Sequence, residues 1–178
     1  MLQQTPTKIK LVDLIRKKLI EKKLMKNSIL LLFAALLFIT CNKKNDTSCM
    51  PVSPQSEAPA MAAYCTAHGM NCTVDSNGIY YQIIDGGSGI APNAASVITV
   101  TYTASTLDGN FIEDQTTTPV TATLNQFIEG WRIAIPYIQK GGHIKMIIPS
   151  SLAYGCTGNK SIPPNSPLYY DVVLVNVN

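Results

Sequence analysis

Residues 97–107 alternate without a slip: Ile98, Val100, Tyr102 and Ala104 fall on one side, Val97, Thr99, Thr101 and Thr103 on the other. Successive side chains of a strand point to opposite faces, so this segment is a strand with one buried side. Asp108-Gly109 follows, the dipeptide of a type I′ turn, and predicts a hairpin that reverses the chain into Phe111. The fold must therefore contain an antiparallel sheet with an apolar layer against one face.

The remaining segments fit around that hairpin. Residues 58–68 hold good helix formers and stop at Gly69, which predicts a short helix. Asn77-Gly78 marks a turn before a strand at 79–84, and further strands are expected at 120–124, at 143–148 after the hinge Gly141-Gly142, and at 168–177. Between them residues 130–139 are the one place for a core helix, with Trp131, Ile135 and Ile138 at helical spacing and Pro136 limiting its length. Gly and Pro number 11 each, and Thr, Val, Ile and Tyr abound after residue 75, so helix should be the minority. The predicted class is α+β: an antiparallel sheet wrapped over one short helix.

The N-terminal part reads as an address. Residues 28–40 run for 13 positions without a charge, behind Lys22, Lys23 and Lys26 and directly before Cys41. That length suits the apolar region of a signal peptide better than a permanent span. A cysteine at the boundary is a site for lipid attachment, so residues 1–40 are expected to be a bacterial lipoprotein signal with Cys41 lipidated. Phe38-Ile39-Thr40 lacks the Leu and the small residue of the common lipobox; the alternatives are an ordinary secretory signal or an uncleaved anchor. Met25-Lys26-Asn27 has the form of a natural start, making residues 1–24 an upstream extension. Their other reading is a basic amphipathic helix on the membrane face, with Ile9, Val12, Leu14, Ile15 and Leu19 on one side.

Residues 41–59 are polar and Pro-rich and read as a flexible tether, residues 60–76 as a helical lead-in, and 77–178 as the folded domain. Charge follows the same division. Up to Lys44 lie 10 of the 14 basic residues; from Asn45 onward 4 basic stand against 9 acidic, a net of −5, which argues against a nucleic-acid partner.

Cys49, Cys65, Cys72 and Cys156 are an even number in a compartment that permits disulfides. Three pairings are open, and free buried thiols are the alternative. C-x-x-C spacing is absent and His68 and His143 are the only imidazoles, so no metal site is expected. Ser150 and Ser151 lack a His and Asp partnership, Glu113, Asp114 and Glu129 form no clear carboxylate pair, and Gly86 to Gly89 lack the ending of a phosphate loop. No conventional catalytic nucleophile or metal site stands out, and no cofactor is expected.

From about residue 79 onward the order of landmarks resembles the FKBP family. The motifs are Val100-Thr101-Tyr102-Thr103, Leu107-Asp108-Gly109-Asn110-Phe111, Phe127-Ile128-Glu129-Gly130-Trp131, Gly141-Gly142-His143-Ile144-Lys145, Ile148-Pro149, Leu152-Ala153-Tyr154-Gly155, Ile162-Pro163-Pro164-Asn165-Ser166 and Tyr170-Asp171-Val172. The resemblance implies peptidyl-prolyl cis-trans isomerisation of proline-containing polypeptides in a half-open aromatic pocket; no segment implies dimerisation, so a monomer is expected. Carried over, the catalytic residues are Tyr102, Phe111, Trp131, Tyr154 and Tyr170, with Val120, Phe127, Ile128 and Ile162 binding substrate. Trp131 is then the floor under the proline ring, and the Ile128 N–H and the Tyr154 hydroxyl are donors to substrate carbonyls. Taken singly, such aromatics are more often core residues.

Two departures stand out. The family aromatic matched to Phe111 is followed by an Asp that orients a tyrosine, whereas here Ile112 follows; Glu113 or Asp114 could substitute only on a shifted backbone. Residues 115–119 are shortened. Ile112 keeps open a second reading, a proline-binding module with little turnover.

Overall fold

The computed structural model describes residues 16–19, 22 and 49–178, in two units, Met1–Asp46 and Thr47–Asn178. In the first, residues 16–19 and 22 are helical. Apart from residues 16–19 and 22, the segment read as a signal peptide, Cys41 and the segment read as a tether as far as residue 48 lie outside the described residues.

The second unit runs α1 (Pro54–Ala67), β1 (Thr73–Val74), β2 (Tyr80–Asp85), β3 (Val97–Thr106), β4 (Phe111–Asp114), β5 (Val120–Thr123), α2 (Glu129–Ala134), β6 (His143–Ile148) and β7 (Leu168–Val177). The strands form one antiparallel sheet in the order β1-β2-β6-β7-β3-β4, with β5 also pairing β3. Thus β3 carries β7 along one edge and both β4 and β5 along the other. Its alternation is realised: Ile98, Val100, Tyr102, Ala104 and Thr106 are all buried.

The reversal after β3 occurs, but not as a type I′ turn. The Gly109 N–H donates to the Thr106 carbonyl (3.1 Å) and the Thr106 N–H to the Asn110 carbonyl (3.0 Å), so the turn centres on Leu107-Asp108. Gly109 follows at φ +86°, while Asp108 is not among the residues at positive φ. One left-handed position needs one glycine, and this three-residue loop uses it.

The core helix is shorter than the predicted 130–139. Regular helix covers Glu129–Ala134, and Ile135–Tyr137 tightens into a 3-10 turn with Pro136 inside it, because proline has no N–H to continue the ladder. Gly130 lets this helix approach β6: a Cβ there would lie 2.3 Å from Ile148 Cγ2. Trp131, Ala134, Ile135 and Ile138 pack on the face formed by Ile98, Val100, Ile144, Met146, Ile148, Val172 and Leu174.

The opposite face of the sheet is covered as well. Helix α1 begins at Pro54, six residues inside the segment read as tether, with Ser53 as N-cap and Pro54 in the first turn, a position where a missing N–H costs nothing. Glu57, Met61, Tyr64 and Cys65 form one stripe at helical spacing. Met61, Cys65, Met70 and Ile147 make a second buried cluster, flanked by Tyr64, Tyr80 and Tyr169. The expectation of a sheet over one helix is thus extended to a helix on each face.

The cysteines resolve into two disulfides. Cys65–Cys72 closes the end of α1, with Cα atoms 6.2 Å apart, and Cys49–Cys156 joins residues 107 apart in sequence across 5.2 Å.

Candidate active site

The strand alternation that aims Tyr102 inward, the helix that buries Trp131, and the register that places Tyr170 opposite Ala104 bring three aromatics to one spot. The Tyr102 ring meets Trp131 edge-on at 5.1 Å, Tyr170 meets it edge-on at 5.3 Å, and Phe127 stacks parallel to it at 4.8 Å. Edge-to-face and stacked contacts of this kind hold the rings in fixed orientations. A cavity of about 140 Å³ opens beside them, lined by Tyr102, Glu113, Gln126, Phe127, Ile128, Trp131, Tyr154 and Tyr170.

Six of the nine residues singled out from the sequence therefore line one cavity. Three do not. Phe111 pairs with Ser105, on the face of β3 turned away from the core, and is 70% exposed. Val120 packs beside the core at the start of β5, and Ile162 is buried within it at 6% exposure; neither lines the cavity.

The reason for Phe111's displacement also supplies the missing acid. Ala104 pairs with Glu113 and the next residue, Ser105, with Phe111, so Ile112 is the extra residue of a β-bulge. The bulge changes the parity of β4. Glu113 takes the inward position beside Ala104, and Ile112 packs against the core. The Tyr102 hydroxyl donates to Glu113 Oε2 at 2.8 Å, and Gln115 Nε2 donates to Oε1 at 2.7 Å. The orienting acid is present one residue later than the sequence reading placed its position, on the shifted backbone that such a substitution requires. Sequence patterning offers Glu113 only as a possible substitute and gives no signal for Gln126; a bulge leaves no mark in composition or alternation over four residues.

Burial and nearby groups keep the Tyr102 and Tyr170 phenols protonated. Burial first, then the bond to Glu113 and its charge, pushes the Tyr102 hydroxyl far above the ordinary tyrosine value; burial, then the neighbouring Tyr154 and Tyr102, does the same for Tyr170. Both histidines lie elsewhere. His143 meets Asp171 Oδ1 at 2.5 Å, and His68 ends α1 stacked on Tyr64. No group of three or more His, Cys, Asp or Glu that could hold a metal ion occurs among the described residues.

A half-open antiparallel sheet over a short helix, with an aromatic-lined cavity between them, defines the FKBP-like class of domains. Residues 89–175 match the sequence profile described as FKBP-type peptidyl-prolyl cis-trans isomerase, and over this stretch the chain belongs to that family. Among its relatives is the FKBP-type peptidyl-prolyl cis-trans isomerase FkpA of Escherichia coli strain K12, 39% identical over 104 residues. That alignment covers 57% of this chain but only 38% of the relative. The outer membrane protein MIP of Legionella longbeachae is 32% identical over 57% of this chain and 45% of its own length. The crystal structure of FkpA from Escherichia coli superposes with a TM-score of 0.63 at 27% identity, covering 99% of this chain and 84% of that one.

Proposed function

We propose that this protein is a peptidyl-prolyl cis-trans isomerase that assists the folding of exported polypeptides from a lipid anchor on Cys41 in the cell envelope. The observation that carries the activity is the convergence of Tyr102, Phe127, Ile128, Trp131, Tyr154 and Tyr170 on one cavity, with Trp131 buried to 2% exposure at its base.

Rotation about an X-Pro bond crosses a barrier of about 18–20 kcal/mol because the amide must lose its resonance. The twisted amide is less polar across C–N than the planar one, so a water-poor aromatic cavity favours it relative to solvent. In this reading the proline ring rests on the Trp131 indole. The Ile128 N–H, just ahead of α2, and the Tyr154 hydroxyl hold substrate carbonyls and fix the chain on either side of the turning bond. Tyr102 is held by Glu113 and shapes the wall. No nucleophile is required. The alternative, a proline-binding module with little turnover, rests on Ile112; the Tyr102–Glu113 bond supports the isomerase reading against it.

Export and anchoring are supported by the apolar run before Cys41 and by the kinship with a protein named for the outer membrane. Uncatalysed X-Pro isomerisation takes tens of seconds or more, slow enough to limit maturation of exported clients.

The test is cis/trans exchange in a short X-Pro peptide, measured with the full chain and with Trp131→Ala. Acceleration that is lost in the variant establishes the isomerase; no acceleration by the intact chain, with peptide binding retained, leaves a binding module. Fatty-acid labelling of the wild type but not of Cys41→Ser checks the anchor.

A further inference from the structure

The segment ahead of the family-matched residues is tied to the loop that carries Tyr154. Among the described residues Glu57 is the only charged side chain in the buried class, at 7% exposure, and it sits in the apolar stripe with which α1 covers the sheet. A buried carboxylate is a poor way to dock a helix, since an apolar side chain of similar size would do so without the desolvation cost. What a carboxylate can do is fix the direction of another polar group. Glu57 Oε2 accepts the Ser150 N–H at 2.8 Å and Oε1 accepts the Ser150 hydroxyl at 2.5 Å.

Ser150 is in turn the residue on which the Tyr154 loop hangs. Its carbonyl accepts the N–H of Ala153 at 3.0 Å and of Gly155 at 2.8 Å, the two residues that flank Tyr154. On the far side, Cys156 is tied to Cys49, and the Gly155 carbonyl accepts the Asn165 N–H at 2.8 Å. The loop that carries Tyr154 into the cavity is thus gripped at both ends by residues 49–57, all of them outside the stretch 89–175 that matches the family.

We propose that residues 49–57 form a strap that sets the Tyr154 side chain in the cavity, with Glu57 as a positioning residue for prolyl isomerisation. The inference rests on reading the cavity as the isomerase site. Removing the strap's grip lets the Ser150 peptide rotate, and Tyr154 loses its fixed place while the aromatic cluster around Trp131 stays intact.

The experiment compares Glu57→Ala, Glu57→Gln and Met61→Ala in the full chain. Met61 lies one turn away in the same buried stripe and packs in the cluster with Cys65, Met70 and Ile147. Each variant is assayed for kcat/KM on a short X-Pro peptide, for its unfolding midpoint, and for the ring resonances of Tyr154. Glu57→Ala should lower kcat/KM at least fivefold at temperatures where it is fully folded and should shift or broaden the Tyr154 signals. Glu57→Gln, which keeps one acceptor, should recover most of that loss. Met61→Ala should lower the midpoint while changing kcat/KM less than twofold. In a Tyr154→Phe background Glu57→Ala should add less than twofold, because both changes remove the same interaction. An unchanged Tyr154 resonance in Glu57→Ala, or an equal loss in both backgrounds, overturns the strap. If the intact chain fails to accelerate exchange, the isomerase reading falls alone, and the Tyr154 resonances still decide whether Glu57 holds the loop.

Discussion

The two faces of the sheet bury side chains for different ends. The inner face is a continuous apolar layer completed by α2, and it leaves one aromatic-lined cavity where Tyr102, Trp131 and Tyr170 meet. The outer face carries a small cluster, Met61, Cys65, Met70 and Ile147, with the buried Glu57 and two disulfides beside it. The inner layer is the larger of the two; the outer one is small, and the Cys49–Cys156 disulfide ties the segment that carries it to the rest of the unit. A cavity for a ligand can be left only where the surrounding core is secure, whereas a small satellite core serves to attach one segment to another.

That contrast is sharpened first by removing the links. Replacing Cys49 and Cys156 together by Ser should cost about 4–5 kcal/mol by chain entropy, given a separation of 107 residues. The same change at Cys65 and Cys72, separated by 7 residues, should cost only about 2–3 kcal/mol. Urea unfolding of the two double variants measures the difference; equal losses would mean that the outer segment is not held by closing a long loop.

On the inner face, Trp131→Ala should destabilise by roughly 3–5 kcal/mol and abolish catalysed exchange, since one side chain serves both core and cavity. Unfolding and exchange measured on the same sample separate the two effects. Gly130→Ala should cost roughly 1–3 kcal/mol, because the new methyl group meets Ile148 where α2 lies closest to β6. Little change in its unfolding midpoint would show that the inner layer yields as readily as the outer one.

The smallest effect expected is that of pH. Burial holds the Tyr102 and Tyr170 hydroxyls protonated above the ordinary value of 10.0, which the unfolded chain retains. Above that pH the unfolded state loses protons that the folded state keeps, so stability is fully present below about pH 10 and declines as pH rises further. Tyr137, pushed up to about 12 by burial and by Asp75, adds to the same trend. A urea midpoint that is flat from pH 7 to 9 and falls beyond pH 10 is the expected result; a decline beginning near neutrality would contradict it.

Much of the inner face was legible in the sequence. The alternation at residues 97–107, the strands at 143–148 and 168–177 and the helical spacing of Trp131, Ile135 and Ile138 are periodic signals, and they reappear in β3, β6, β7 and the α2 region. The outer face was hard to see because the stripe of α1 mixes Glu57 with Met61 and Cys65, which blurs its apolar period. The boundary at Pro54 was missed for a related reason: Pro and Ser read as tether until Ser53 is seen to cap the helix.

Local rules of side-chain direction were enough to determine the class of fold and which face of β3 turns inward, because strand periodicity depends only on neighbours along the chain. Tertiary structure alone decided that Glu113 rather than Phe111 faces the cavity, that Cys49 pairs with Cys156, and that Glu57 meets Ser150. Each of these depends on register or on contacts between segments distant in sequence. Such contacts are chosen by how whole elements pack, and no short stretch of residues carries that information.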